Sequence, residues 1–163
     1  MPIPDRIPTG ALVSQEINAR LQGYGAQSNH TIQVGDGGPV DYRDAMRAAT
    51  AVYGEMAAWM RPGQTVGDLC EHYVGLCEKA GAADASGVVV HTNGLGSDYP
   101  RIGPRMMRGN EASLVLQPGM TFTFKPVLKL ASGTRAQFGD PLTITESGAR
   151  RLGRRPMEPI VVS

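Results

Sequence analysis

The chain has 163 residues, enough for one domain with a real core, and its 41% hydrophobic content excludes a disordered chain. Sixteen basic residues stand against fifteen acidic ones, so no nucleic-acid or anionic-membrane partner is expected. No run approaches membrane-spanning length. The opening Met1-Pro2-Ile3-Pro4-Asp5 has neither the basic start nor the apolar core of a signal peptide, so a cytoplasmic protein is expected.

Residues 1–10 are punctuated by proline and read as an extended arm. Ala11 to Ile17 and Thr31 to Val34 read as strands, with Gly23-Tyr24-Gly25 bending the chain between them. Asp36-Gly37-Gly38-Pro39 is a turn. Asp41 through Met60 carries Tyr42, Met46, Ala49, Val52, Tyr53, Met56 and Met60 on one stripe, which predicts a helix stopped by Arg61-Pro62-Gly63. Thr65-Val66-Gly67-Asp68 resembles a capping box and opens a second helix running to about Ala80. Cys70 and Cys77 lie on one face of that helix, roughly 10 Å apart along its axis, too far for a disulfide. His72 reads as a surface residue.

The remainder is β-rich. Gly87 to His91 is a short buried strand leading into a glycine turn. Thr121 to Leu130 alternates, with Phe122 and Phe124 on one face and Thr121, Thr123 and Lys125 on the other; Pro126 forces a bulge or an edge. Leu142 to Thr145 is a further strand. Asp98 and Asp140, each followed closely by proline, read as turn residues. Residues 154–163 read as a tail, and the Arg150-Arg151-Leu152-Gly153-Arg154-Arg155 cluster as a solvated segment or dimer contact.

Four pieces in order carry a resemblance. They are Arg61-Pro62-Gly63-Gln64-Thr65, Gly94-Leu95-Gly96 after His91, Pro118-Gly119-Met120-Thr121-Phe122-Thr123-Phe124, and Gly139-Asp140 through Gly148. From about Val13 to Gly153 the chain resembles the creatinase/aminopeptidase family. The resemblance implies an α+β pita-bread fold over 11–153, a curved antiparallel sheet with helices packed on its outer face. Family domains carry a further helical segment before their first metal-ligating aspartate, whereas fifteen residues precede Glu16 here. An incomplete pita-bread layer is therefore expected, covered by a homodimer or a partner subunit.

Metal-dependent members of that family hold two dications with two aspartates, a histidine and two glutamates. The matching positions here are Glu16, Gln27, Asn93 (or His91, with a shift in the turn), Lys125 and Gly139. An ammonium cannot share a dry site with dications, so no metal, no cofactor and no aminopeptidase activity are expected. Creatinase, in the same family, hydrolyses a C–N bond without metal, with a histidine moving protons. The resemblance thus implies a metal-independent enzyme acting on a small molecule by C–N hydrolysis, elimination or isomerisation. In that reading His91 is acid/base and Lys125 its electrostatic partner, with Glu16, Tyr24, Gln27, Asn93 and Asp98 as substrate contacts and His30 nearby. The same residues admit a bland reading, with His91 bonded to its turn and Lys125 a solvated edge lysine. The protein is then a non-catalytic subunit or binding protein completing a partner's domain. A third expectation is that Glu16 pairs with Lys125, filling the space of the metals.

Overall fold

A computed structural model describes residues 6–87, 90–92, 101–103 and 109–163. In chain order the strands are β1 (Leu12–Leu21), β2 (Tyr24–Val34), β3 (Ala82–Asp84), β4 (Val90–Thr92), β5 (Arg101–Ile102), β6 (Thr121–Phe124), β7 (Val127–Leu130), β8 (Arg135–Thr145), β9 (Gly148–Arg151) and β10 (Ile160–Val162); the helices are α1 (Tyr42–Trp59) and α2 (Val66–Lys79). The strands form one open sheet whose main path runs β1-β2-β8-β6-β4-β5. Every pairing is antiparallel except β10 on β2. This is the expected α+β architecture, a partial pita-bread fold.

The two helices form where periodicity and capping place them. α1 buries Tyr42, Ala45, Met46, Ala49, Val52, Tyr53 and Met56, a stripe at three- and four-residue spacing. The capping box of α2 is complete: Asp68 N–H donates to Thr65 Oγ1 at 3.1 Å, and Thr65 N–H to Asp68 Oδ2 at 2.7 Å. Both cysteines are buried free thiols. Among the described residues no helix is long and apolar enough to cross a membrane.

Alternation along the strands gives the sheet two unlike faces. Phe122, Phe124, Phe138 and Leu142 belong to the buried apolar core; Tyr53 of α1 stacks on Phe124 at 5.5 Å and meets Phe138 edge-on at 4.9 Å. The opposite face carries Thr123, His91, Gly139, Asn29, Gln27 and Glu16, related by the registers His91↔Thr123, Asn29↔Gly139 and Glu16↔Asn29. Thr123, on this polar face as the alternation predicts, is 0% exposed. Pro126 does interrupt the strand, separating β6 from β7.

Three expectations change. The first two strands are longer than predicted and join through the two-residue turn Gln22-Gly23, both with positive φ (51° and 88°). Asp140 is no turn residue: β8 runs through Asp140-Pro141, and Pro141 falls between the β2 and β9 pairings, where its missing N–H breaks no ladder. The arginine cluster is not wholly solvated either. Asp140, 2% exposed, accepts from Arg151 Nε at 2.7 Å and Arg155 Nε at 3.1 Å, and Arg155 Nη2 also donates to the backbone oxygens of Gly139 (2.6 Å) and Asn29. Both guanidiniums lie over Phe138. The segment then continues to β10, beside β2.

A buried carboxylate with two cationic partners leaves unpaired charge when removed. Asp140→Ala is expected to cost about 3 kcal/mol, the low end for a buried pair because both arginines keep partial access to water. Denaturant unfolding of the variant measures it.

Candidate functional site

The polar face of the sheet brings six side chains into one hydrogen-bonded cluster. The β1–β2 hairpin sets Asn18 opposite Gln27 and Glu16 opposite Asn29. Gln27 Nε2 donates to Glu16 Oε1 at 2.7 Å and to Asn18 Oδ1 at 2.9 Å, and Asn29 Nδ2 donates to Glu16 Oε2 at 2.9 Å. From the other side Lys125 Nζ donates to Glu16 Oε2 at 3.1 Å and to Gln27 Oε1 at 3.2 Å. His91 Nε2 lies 2.9 Å from the same Gln27 Oε1. Two acceptors hold the Gln27 amide nitrogen, so its oxygen faces His91 and Lys125. The shared proton is therefore on His91 Nε2.

The expected Glu16–Lys125 pair is thus present. The lysine side chain is 15% exposed and the glutamate 45%, so the cluster meets solvent on the Glu16 side. Burial pushes the Glu16 carboxyl up. The hydrogen bond and charge of Lys125, the Asn29 amide and the charge of His91 outweigh it and hold the carboxyl below its ordinary 4.5.

Gly139 permits this closure. A Cβ there would stand 2.6 Å from Lys125 Cβ, 3.0 Å from Lys125 Cα and 2.9 Å from Asn29 Oδ1. A side chain at 139 requires Lys125 to withdraw. The five positions that would carry two dications therefore do not fit them. One holds an ammonium in contact with the remaining carboxylate, one an amide, and one has no room for a ligand. Among the described residues no three His, Cys, Asp or Glu side chains stand close enough to hold a metal.

Of the sequence candidates, Glu16, Gln27, His91 and Lys125 meet here. Tyr24 does not: it sits beside the hairpin turn, paired with Leu21, 62% exposed on the opposite face. His30 is also turned away, 0% exposed against the edge of Phe138; burial and the Arg155 charge hold its pKa down at about 4, leaving it neutral. Asn93 and Asp98 lie outside the described residues. The sequence reading missed Asn18 and Asn29. Both stand two residues from a named candidate on the same strand, so alternation alone places them on its face.

Lys125→Met is expected to destabilise the fold by about 1–2 kcal/mol at neutral pH, between a surface and a buried pair. A carboxyl whose folded pKa is lowered stabilises above its unfolded pKa and loses that contribution as pH falls through the folded value. The melting-temperature gap between wild type and Lys125→Met should therefore be full above pH 4.5 and narrow below it.

Residues 2–146 match metallopeptidase family M24. No curated protein matches the chain. Among solved structures, a dipeptidase from Pyrococcus horikoshii superposes with TM-score 0.83 at 23% identity, covering 99% of this chain and 44% of that one. The dipeptidase PepE from Mycobacterium ulcerans gives 0.79 at 26% identity, covering 96% and 41%. A methionine aminopeptidase from Rickettsia prowazekii gives 0.76 at 19% identity, covering 93% and 67%. The chain spans less than half the length of the two dipeptidases. With the family match covering most of its residues, the chain belongs to metallopeptidase family M24 and has that family's peptidase-like hydrolase fold.

Proposed function

We propose that the chain is a metal-independent member of its family that acts on a small molecule by acid/base chemistry, in the first instance C–N hydrolysis. His91 is the proton carrier and Lys125 its electrostatic partner. One observation carries the reading: His91 Nε2 and Lys125 Nζ converge on a single oxygen, Gln27 Oε1, at 2.9 and 3.2 Å. A carbonyl or carboxylate oxygen of a ligand taking that place receives two donors, one of them cationic. Such a pair stabilises negative charge developing on the oxygen as water adds to the carbon; the imidazole N–H is given up to the departing nitrogen and replaced by the proton the water loses. Glu16 already pairs with Lys125, so a cationic guanidino group is disfavoured beside the ammonium, and a neutral or anionic ligand fits better.

A second reading has its own observation. The Gln27 amide gives two hydrogen bonds and accepts two, so the amide at the centre of the cluster is saturated by the chain's own groups. That closure suits a non-catalytic subunit or binding protein of the same fold.

A panel of Xaa-Pro dipeptides, small amides and guanidino compounds, assayed with a chelator and with added Mn²⁺, separates the two. The enzyme reading expects C–N cleavage unchanged by the chelator and reduced by about 10²-fold or more in His91→Ala. Cleavage abolished by the chelator overturns metal independence. An absence of turnover throughout, in wild type and variant alike, favours the second reading.

A further inference from the structure

β1 is an edge strand, ten residues long, and among the described residues it pairs with β2 alone. Its hydrogen-bonding parity is fixed from both ends. The two-residue turn makes Leu21↔Tyr24 a hydrogen-bonded pair, and at the other end Val34 N–H donates to Ala11 O at 2.9 Å. The odd-numbered residues of β1 therefore spend their backbone groups on β2. The even-numbered ones, Ser14, Glu16, Asn18 and Arg20, point theirs outward at the free edge. On the helix-side face of the hairpin Ile17 (55%), Leu21 (78%) and Tyr24 (62%) are exposed in a row, without a helix over them. A long, unbulged edge of this kind is a template for another strand.

We propose that this edge pairs antiparallel with β1 of a second copy of the chain, about a two-fold axis at Asn18. Parity requires even residues to face even residues. Charge then selects the register. An axis at Glu16 sets two carboxylates opposite each other, whereas an axis at Asn18 sets Glu16 opposite Arg20 of the second copy, twice by symmetry. Arg20 makes no ion pair within its own chain among the described residues, and Glu16 has a half-exposed side chain with Lys125 on only one side. On the other face the same register places Ile17 opposite the second copy's Ala19, drawing the exposed apolar row of both hairpins together. The join spans residues 15–21 with roughly six backbone hydrogen bonds. It also carries a consequence for the site: a guanidinium from the second copy completes the cation pair around Glu16.

Light-scattering mass measurement of the chain across micromolar concentrations tests the pairing. The expected result is a concentration-dependent dimer. Arg20→Pro removes an outward N–H together with the charge while leaving the β2 ladder intact, and should run as a monomer with unchanged circular dichroism. Arg20→Glu keeps the backbone and faces Glu16 with a like charge, weakening the dimer tenfold or more. For register, the double variant Ile17→Cys/Ala19→Cys should form a disulfide-linked dimer under mild oxidation, because residues 17 and 19 meet in a non-hydrogen-bonded pair. A monomer at every concentration overturns the proposal. So does a dimer of unchanged affinity in Arg20→Glu, or a cysteine double variant that does not cross-link.

Discussion

The close approach of three strands at Gly139 governs the rest of the molecule. β2 pairs with β8 through Asn29↔Gly139, and a Cβ at 139 would collide with Lys125 Cβ at 2.6 Å. Without a side chain at 139, the residue after β6 drops onto the polar face and its ammonium reaches Glu16 and Gln27. The next residue, Asp140, points to the opposite face and anchors two arginines of the C-terminal segment. Adjacent positions on one strand thus close the polar site on one side and clamp the chain end on the other. Arg155 joins the two, because its guanidinium also holds the backbone oxygens of Asn29 and Gly139, the pair that sets the approach.

The chemistry of the site follows from that geometry more than from any single replacement. Carboxylates at these positions would need a dication to offset their repulsion. The same volume here is neutral overall in its charged pair, with Glu16 balanced by Lys125 and held further by the Gln27 and Asn29 amide nitrogens. Gln27 is the hinge of the arrangement, since its nitrogen reads the acidic side and its oxygen the basic side. On the function proposed above, a ligand that enters must replace the hydrogen bonds of this amide or share them, which asks of it a polar oxygen.

The helices were legible because their signals are local. A single apolar stripe defined α1, and a Thr-x-x-Asp box defined the start of α2. The extents of β1 and β2 were not. Gln15-Glu16-Ile17-Asn18 and Gln27-Ser28-Asn29-His30 lack apolar alternation because their site face is polar and, on β1, the other face lacks a helix over it. Asp140-Pro141 reads as a turn for the ordinary reason that proline ends ladders, and the interval between two pairing partners of β8 is a tertiary fact absent from local sequence. The Glu16–Lys125 pair was legible because opposite charges stood at positions that the resemblance brings together. Asp140 with Arg151 and Arg155 was not, because nothing in the spacing says that the chain folds back over Phe138. The resemblance likewise implied a pocket contact for Tyr24, on the same segment as Gln27, but three residues of strand separate the two and reverse the face.

The edge and the site share one strand, and that couples them. Glu16 and Arg20 lie on the same face of β1, four residues apart, with Asn18 between them. Asn18 faces both ways in function. Its side chain accepts from Gln27 inside the cluster at 2.9 Å, while its backbone groups point to the free edge. Whatever pairs with that edge therefore fixes the backbone that presents Asn18 and Glu16 to the amide of Gln27. An unpaired edge strand frays more readily than a central one, and fraying here loosens the acidic half of the cluster before the basic half, which β8 and β6 hold from within the sheet. Assembly at β1 and order at the polar face are accordingly two readouts of one backbone segment.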